Sequence, residues 1–216
     1  MGRNFLRSVA ALAVLACQTA ALAQDSQPFI SIATGDPFLS GQSLKGYDVH
    51  IFGGPTTTGS AGNSLNVFGT DYTDNYIIGG IVGRDFYDLG AGFMLGGVAG
   101  LAVRFGEDDD TSGEAWAGGR IRHQGLVIGD LAISPGFTAG FSVVTAPTEI
   151  ERQREIRYDG DATFLGFLGP EVAFRLRQAP NVELIYQLHH RSGGDGTFGN
   201  MGEGSNANTL GLRYRF

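Results

Sequence analysis

The stretch Phe93-Met-Leu-Gly-Gly-Val-Ala-Gly-Leu-Ala-Val-Arg-Phe105 decides the fold. Apolar residues occupy its odd positions, among them Leu101 and Val103, and its even positions are mostly small until Arg104. A period of two is typical of a β-strand, whose successive side chains point to opposite faces, whereas a helix gives a period near 3.6. The stretch therefore predicts a long strand with one apolar face.

The same alternation recurs along the chain and predicts eight strands. Between 164 and 178, for example, Phe164, Val172 and Phe174 share one face, and Glu171 and Arg175 lie on the other. The predicted strands span about 46–54, 76–88, 93–106, 113–123, 127–144, 164–178, 181–192 and 207–216.

The connections between these segments alternate in length. Short connections at 88–92, 123–129 and 178–181 alternate with mostly longer, polar ones at 54–75, 107–112, 145–163 and 193–206. This alternation, with strands of roughly ten residues, is typical of a bacterial outer-membrane β-barrel, in which closure leaves no unpaired backbone edge in lipid. The last strand ends on Phe216 and resembles the assembly signal of such barrels. We predict an all-β fold: an eight-stranded antiparallel transmembrane β-barrel, with its long loops outside the cell.

The polar strand faces supply the interior of the predicted barrel. Eight strands enclose just enough room for side chains, so opposite charges are expected to pair there, which argues against a pore. Trp116 has the same inward parity and is expected to pack among them. The charged residues predicted to point inward are Arg104, Arg120, Arg122, Glu171, Arg175, Arg177, Glu183 and Arg213.

The start of the chain has the pattern of a cleaved signal peptide. Arg3 and Arg7 flank the start of a short apolar run that ends in Ala21-Leu-Ala23, an A-x-A cleavage site. The predicted divisions are a signal peptide over 1–23, a periplasmic segment over 24–45 and an outer-membrane barrel over 46–216.

The cysteine count and the net charge exclude several kinds of site and partner. Cys17 is the chain's one cysteine and is expected to be removed with the signal peptide. The alternative is that Cys17 is acylated as in a lipoprotein, but Leu15 fits the lipoprotein acylation motif poorly. Without Cys17, disulfides and thiolate metal sites are excluded. Removal of residues 1–23 leaves 13 basic residues against 22 acidic ones, a net charge of −9, which argues against nucleic acid as a partner. No cofactor and no metal site are predicted.

The stretch Leu188-His-His-Arg-Ser-Gly-Gly-Asp-Gly-Thr-Phe-Gly-Asn200 ends the seventh predicted strand and holds two of the four histidines. Parity separates the pair. His189 joins the inward row with Arg191, whereas His190 and Ser192 continue the outward, lipid-facing row. Polar groups on the lipid face cost free energy, least near the interface. The position of His190 and Ser192 on that face therefore indicates a functional role.

The chemistry that suits such a pair is acyl transfer. A neutral His190 imidazole would take the proton of the Ser192 hydroxyl as it attacks the carbonyl of an ester in the outer leaflet. Backbone N–H groups of Gly193 and Gly194 would hold the developing oxyanion. The alternative is a polar strand end at the level of the lipid headgroups.

This segment resembles the outer-membrane lipid A 3-O-deacylases of the PagL type. Their motif is His-x-Ser-Asn-Ala-Gly, then Asn-x-Gly-x-Glu, then a short apolar strand; His190, Ser192 and Asn200-Met-Gly202 match it, chiefly within 181–216. The resemblance implies an eight-stranded barrel that removes the 3-position acyl chain of lipid A. It implies Ser192 as nucleophile, His190 as base and Asn200 among the oxyanion donors.

Two positions depart from that motif. Gly193 stands where the family has Asn. The family's Glu, which orients the histidine, falls on Gly204 when counted from Asn200, with Glu203 one residue early, and on Asn206 when counted back from the C-terminus. Either Glu203 or Asn206 orients His190, or the site is degenerate.

The sequence thus favours a carboxylic ester hydrolase that acts on lipid A, with lipopolysaccharide as substrate and outer-membrane lipid as surroundings. The alternatives are a non-catalytic structural or adhesion barrel and, less favoured, a lipid A acyltransferase. A monomer is expected, with a homodimer as the alternative.

Overall fold

The computed structural model describes residues 28–41, 43, 46–107 and 110–216, so the predicted signal peptide and Cys17 lie outside the described residues. Across that part of the chain, neither helix is long and apolar enough to cross a membrane. The elements are β1 (Ile30–Ile32), β2 (Gly46–Thr57), α1 (Ala61–Ser64), β3 (Tyr72–Gly90), β4 (Phe93–Gly106), β5 (Ser112–His123), β6 (Leu126–Ile128), β7 (Leu131–Val144), α2 (Glu149–Tyr158), β8 (Phe164–Leu176), β9 (Val182–Ser192) and β10 (Glu203–Arg215).

Eight of these strands close into an antiparallel barrel. Following the chain, β2, β3, β4, β5, β7, β8, β9 and β10 each pair with the next, and β10 pairs back onto β2. At the closing seam, Leu212 lies opposite Ile51 of β2 and Leu184 of β9. Closure leaves no barrel strand with an unpaired edge, so the predicted eight-stranded barrel is confirmed.

The outer wall is apolar. Side chains on the outward parity of each strand, such as Ile51, Leu101 and Leu210, are exposed, whereas their sequence neighbours on the inward parity are buried. The period of two in the sequence therefore corresponds to the two sides of one wall. An exposed apolar surface of this extent requires an apolar medium around it.

Ion pairs fill both ends of the interior. Near the short turns, Arg120 donates to Asp48 at 3.0 Å and to Asp85 at 2.9 Å. Near the long loops, Arg104 donates to Glu151 at 3.0 Å. Such buried charges persist because each has a partner. The inward prediction is confirmed for Arg104, Arg120, Arg122, Glu171, Arg175, Glu183 and Arg213.

For Arg177 the inward prediction is wrong. β8 ends at Leu176, so Arg177 lies in the turn that follows, where parity no longer applies. Its guanidinium is exposed and donates to Asp130 at 2.8 Å in a neighbouring turn.

The predicted strand over 127–144 is also wrong. It divides at Gly129 and Asp130 into β6 and β7, which fold against each other. The turn reverses the parity, since Val127 is buried in β6 and Ala132 in β7. All three residues of β6 are apolar, so the sequence shows no alternation there that would reveal the break. The φ of Gly129 is +58°, a backbone conformation that glycine adopts readily.

The segment before the barrel packs against the end of the barrel that carries the short turns. β1 pairs with β6, which no sequence pattern indicated. The carboxylate of Asp36 accepts hydrogen bonds from Arg175 at 2.8 Å and from Arg215 at 3.3 Å. These contacts join the segment to the ends of β8 and β10.

An aromatic cluster fills the middle of the barrel, as expected for Trp116. Its ring lies 5.8 Å from Phe52, 5.6 Å from Phe167 and 4.9 Å from His189 between centroids. Gly100 faces it across the β4–β5 pair, and a Cβ there would lie 2.2 Å from Cζ2 of Trp116.

Gly100→Ala should lower the free energy of unfolding by about 1–3 kcal/mol, because the added methyl displaces the indole from a packed interior. Urea unfolding in detergent micelles, followed by the fluorescence of Trp116, the chain's one tryptophan, measures this. Gly119→Ala is the matched control, since nothing lies within 4 Å of its Cβ position. Equal stability of the two variants would contradict the packing described here.

Candidate active site

His190 and Ser192 project from the outer side of β9. Their neighbours His189 and Arg191 are buried in the interior, where Nε2 of His189 lies 2.9 Å from Oε1 of Glu114. The two histidines are therefore divided between the two sides of the wall, in agreement with parity.

A β-bulge in β10 brings two further polar residues to this outer side. Ser192 lies opposite Glu203, and His190 lies opposite Asn206, so three steps along β10 match two steps along β9. The extra residue reverses the parity of β10 at this point. Cross-strand partners share a face, so Glu203 and Asn206 both face outward although one number is odd and the other even.

Asn206 is the hydrogen-bond partner of His190. Its Oδ1 lies 2.6 Å from Nδ1 of the imidazole, and its Nδ2 donates to the carbonyl of Gly59 at 2.8 Å. A carbonyl only accepts, so this second bond directs Oδ1 toward the histidine. Nδ1 of His190 must then carry the proton, and Nε2 is left with its lone pair, as a general base requires.

Glu203 has a different partner. Its carboxylate lies 3.4 Å from the guanidinium of Arg154 on α2. Arg154 also donates to the carbonyl of Gly204 and so holds the start of β10 against the helix. Of the two residues that the sequence leaves open, only Asn206 contacts the imidazole.

The hydroxyl of Ser192 lies at the start of the glycine loop, residues 193–202. Its Oγ accepts the N–H of Gly194 at 3.1 Å, and among the described residues no hydrogen bond joins it to His190. Gly193 packs so closely on Met201 that a Cβ would lie 1.9 Å from the Met201 carbonyl oxygen. An Asn at this position, as in the resembling family, would not fit.

The side chain of Asn200 binds the end of α2 and not Ser192. Its Nδ2 donates to the carbonyls of Tyr158 and Asp159 at 2.8 and 3.0 Å, at the C-terminal end of α2. Both amide hydrogens are used, so the side chain fixes the glycine loop to the helix instead of pointing at Ser192. The oxyanion role that the resemblance implies for it does not match this geometry.

The β2–β3 loop, residues 58–71, covers part of the outer wall. Its short helix α1 packs on β9 and β10, and Leu188 and His190 beneath it are 2 % and 5 % exposed. His190 therefore faces outward but is shielded by this loop, contrary to the expectation of a lipid-facing imidazole, and Ser192 is half-buried beside it.

Polar residues that the sequence did not indicate hold the β2–β3 loop in place. Asn208 donates to the carbonyl of Ser64 and to the hydroxyl of Tyr72, both at 3.0 Å, and accepts from Tyr186 at 2.8 Å. Asn208 follows Asn206 on the outward row of β10. Two asparagines on the outward row of β10 are the one sequence feature that indicates that a loop shields this part of the outer wall from lipid.

No group of three or more His, Cys, Asp or Glu side chains suited to a metal ion occurs in the described ranges.

The closed ladder, apolar wall and paired interior define an outer-membrane β-barrel. The fold is similar to the crystal structure of the outer membrane enzyme PagL, with a TM-score of 0.52, 8% identity, and 78% of this chain and 99% of that chain covered. Neisserial surface protein A aligns at a TM-score of 0.48 and 11% identity, covering 81% and 100%. The N-terminal barrel domain of Pseudomonas aeruginosa OprF aligns at 0.44 and 12%, with the same coverage. No family model and no curated protein matches the chain.

Asn208→Ala should loosen the β2–β3 loop while the barrel stays folded, because it removes three hydrogen bonds of about 1 kcal/mol each. Hydrogen exchange by mass spectrometry should show faster exchange in residues 59–66 and unchanged exchange in β4 and β5. Unchanged exchange in the loop would mean that Asn208 does not hold it.

Proposed function

We propose that this chain is an outer-membrane esterase that hydrolyses the 3-position acyl ester of lipid A. The observation that carries the proposal is the 2.6 Å contact between His190 and Asn206, beside an outward-facing Ser192. The similarity in fold to an outer membrane enzyme supports the fold of such a protein, and the sequence resemblance in 181–216 supports the chemistry.

The proposed reaction begins at Ser192. Nε2 of His190 takes the hydroxyl proton as Oγ attacks the acyl carbonyl, which forms a tetrahedral intermediate bonded to Oγ. Asn206 holds the ring in the tautomer that leaves Nε2 free and accepts from Nδ1 of the imidazolium. As a neutral partner it stabilises that cation less than a carboxylate would.

The negative oxygen of this intermediate would lie near the glycine loop. The N–H of Gly194 is 3.1 Å from Oγ, and so within reach of an oxygen on the carbon that Oγ attacks. We assign this role to Gly194 and the adjacent Gly193. His190 then returns its proton to the departing 3-hydroxyl oxygen of the sugar, and a water molecule hydrolyses the acyl-enzyme by the same steps.

The second candidate is a non-catalytic structural or adhesion barrel. The observation that favours it is that Ser192 donates no hydrogen bond to His190, although catalytic contacts of this kind commonly tighten only with substrate bound. Mass spectra of lipid A from cells with and without the protein separate the candidates. Loss of one hydroxyacyl chain supports the esterase, gain of a chain supports an acyltransferase, and an unchanged spectrum supports the non-catalytic barrel.

Ser192→Ala should abolish loss of the acyl chain, because it removes the nucleophile. Lipid A mass spectrometry measures the reaction, and heat-modifiable migration on gels shows whether the barrel is folded. Thr111→Ala, which removes an exposed hydroxyl from another loop, should retain full activity. Deacylation by a folded Ser192→Ala variant would refute the assigned nucleophile.

Asn206→Ala should lower kcat by about 10²-fold or more, since the imidazole loses the acceptor that fixes its tautomer. Glu203→Ala should cost less than about tenfold, because Glu203 contacts Arg154 and not the ring. Initial rates on purified lipid A in mixed micelles compare the two. A larger loss in Glu203→Ala would identify Glu203 as the orienting residue instead.

A further inference from the structure

The β7–β8 connection folds over the extracellular mouth of the barrel and inserts one carboxylate. Thr148 caps α2: its hydroxyl accepts the N–H of Glu151 at 3.3 Å, and its own N–H donates to Glu151 at 2.9 Å. Glu151 is fully buried. A glutamate in the first turn is common in a capping box, but a cap alone does not require burial.

The buried carboxylate contacts three strands from inside. It accepts hydrogen bonds from Arg104 of β4 at 3.0 Å, from Arg191 of β9, and from the hydroxyl of Ser205 of β10 at 2.8 Å. Burial alone would raise the pKa of Glu151, but Arg191 and Arg104 hold it below its ordinary value, so the group is ionised at neutral pH.

Two of these contacts adjoin the candidate active site. Arg191 precedes Ser192 on β9, and Ser205 precedes Asn206 on β10. Successive residues of a strand point to opposite sides of the wall. The contacts of Arg191 and Ser205 with Glu151 therefore lie on the inner side, directly behind Ser192 and Asn206 on the outer side.

The site also lies where the β9–β10 ladder is weakest. The register shifts between Glu203 and Asn206, and a bulge leaves a residue without its ladder partner. Asn206 itself pairs with His190 of β9 and with Thr57 of β2. The two residues before it have no partner in the β9 register, so the ladder does not continue unbroken from Asn206 to the start of β10. The carboxylate of Glu151 joins the two strands at this level.

We infer that Glu151 is a positioning residue, which holds Asn206 against His190 from the opposite side of the barrel wall. The inference rests on the proposed function for its catalytic consequence, but the contact that it concerns can be measured without activity. The ion pair acts through the two strands and never touches substrate. Without it, Glu203 and Gly204 keep their contacts with Arg154, but Ser205 loses its link to Arg191 of β9. Asn206 can then shift against His190 while the remaining ladders keep the barrel closed.

The test compares Glu151→Gln with Glu171→Gln. Glu171 is also buried and also joins the same two strands, through Gln187 of β9 and Arg213 of β10. Gln187 is five residues from Ser192, roughly 16 Å along the strand. Glu171→Gln therefore removes an equivalent carboxylate at a distance from the site. Ser205→Ala is a milder variant that removes one hydrogen bond to Glu151 and leaves both arginine pairs.

The first readout is the Nδ1-bound proton of His190 in an NMR spectrum of the protein in micelles, assigned by its absence in His190→Gln. Its downfield, hydrogen-bonded position should be lost in Glu151→Gln, weakened in Ser205→Ala and unchanged in Glu171→Gln. The second readout is kinetic: kcat should fall about tenfold or more in Glu151→Gln with KM unchanged, because a small misplacement is costly.

An unshifted His190 proton in folded Glu151→Gln would overturn the inference, as would an equal loss in Glu171→Gln. A wild-type protein that lacks activity but shows the expected NMR pattern would overturn the proposed function and uphold the role of Glu151. The two failures are thus distinguishable.

Discussion

A polypeptide in hydrocarbon must bond every backbone N–H and C=O group to itself, and the rest of this structure depends on that constraint. For a chain that crosses as strands, this constraint requires a closed sheet, and a sheet closed with eight strands has room inside only for side chains. The interior charges are consequently paired and the indole of Trp116 packs in the barrel centre, while the outer wall is free to be apolar. The same closure divides each strand into two chemically different faces.

Because the faces differ so much, parity predicted most of the fold. Seven inward charges, the outward row of β9 and the alternation of short turns with long loops follow from a period of two in the sequence. Parity fails where backbone geometry breaks the period. The turn at Gly129 follows three successive apolar residues, Leu126 to Ile128, whose lack of alternation hides a strand break. Arg177 lies one residue beyond the end of β8.

The candidate site shows the same limit more sharply. His190 and Ser192 were placed on the outer face by counting, but the choice between Glu203 and Asn206 depended on a bulge that no residue pattern marks. Asn200, the β2–β3 loop and Glu151 act through partners distant in sequence, such as Tyr158, and only the folded chain brings them together. Contacts of that kind are not contained in a local motif.

β10 has two roles that fall on one strand. It forms the seam with β2 that closes the barrel, and it carries Asn206. During export, a chain that has not yet paired β10 with both neighbours has neither a sealed wall nor an oriented imidazole. The proposed hydrolysis would therefore begin only when assembly is complete, which couples its timing to insertion of the barrel.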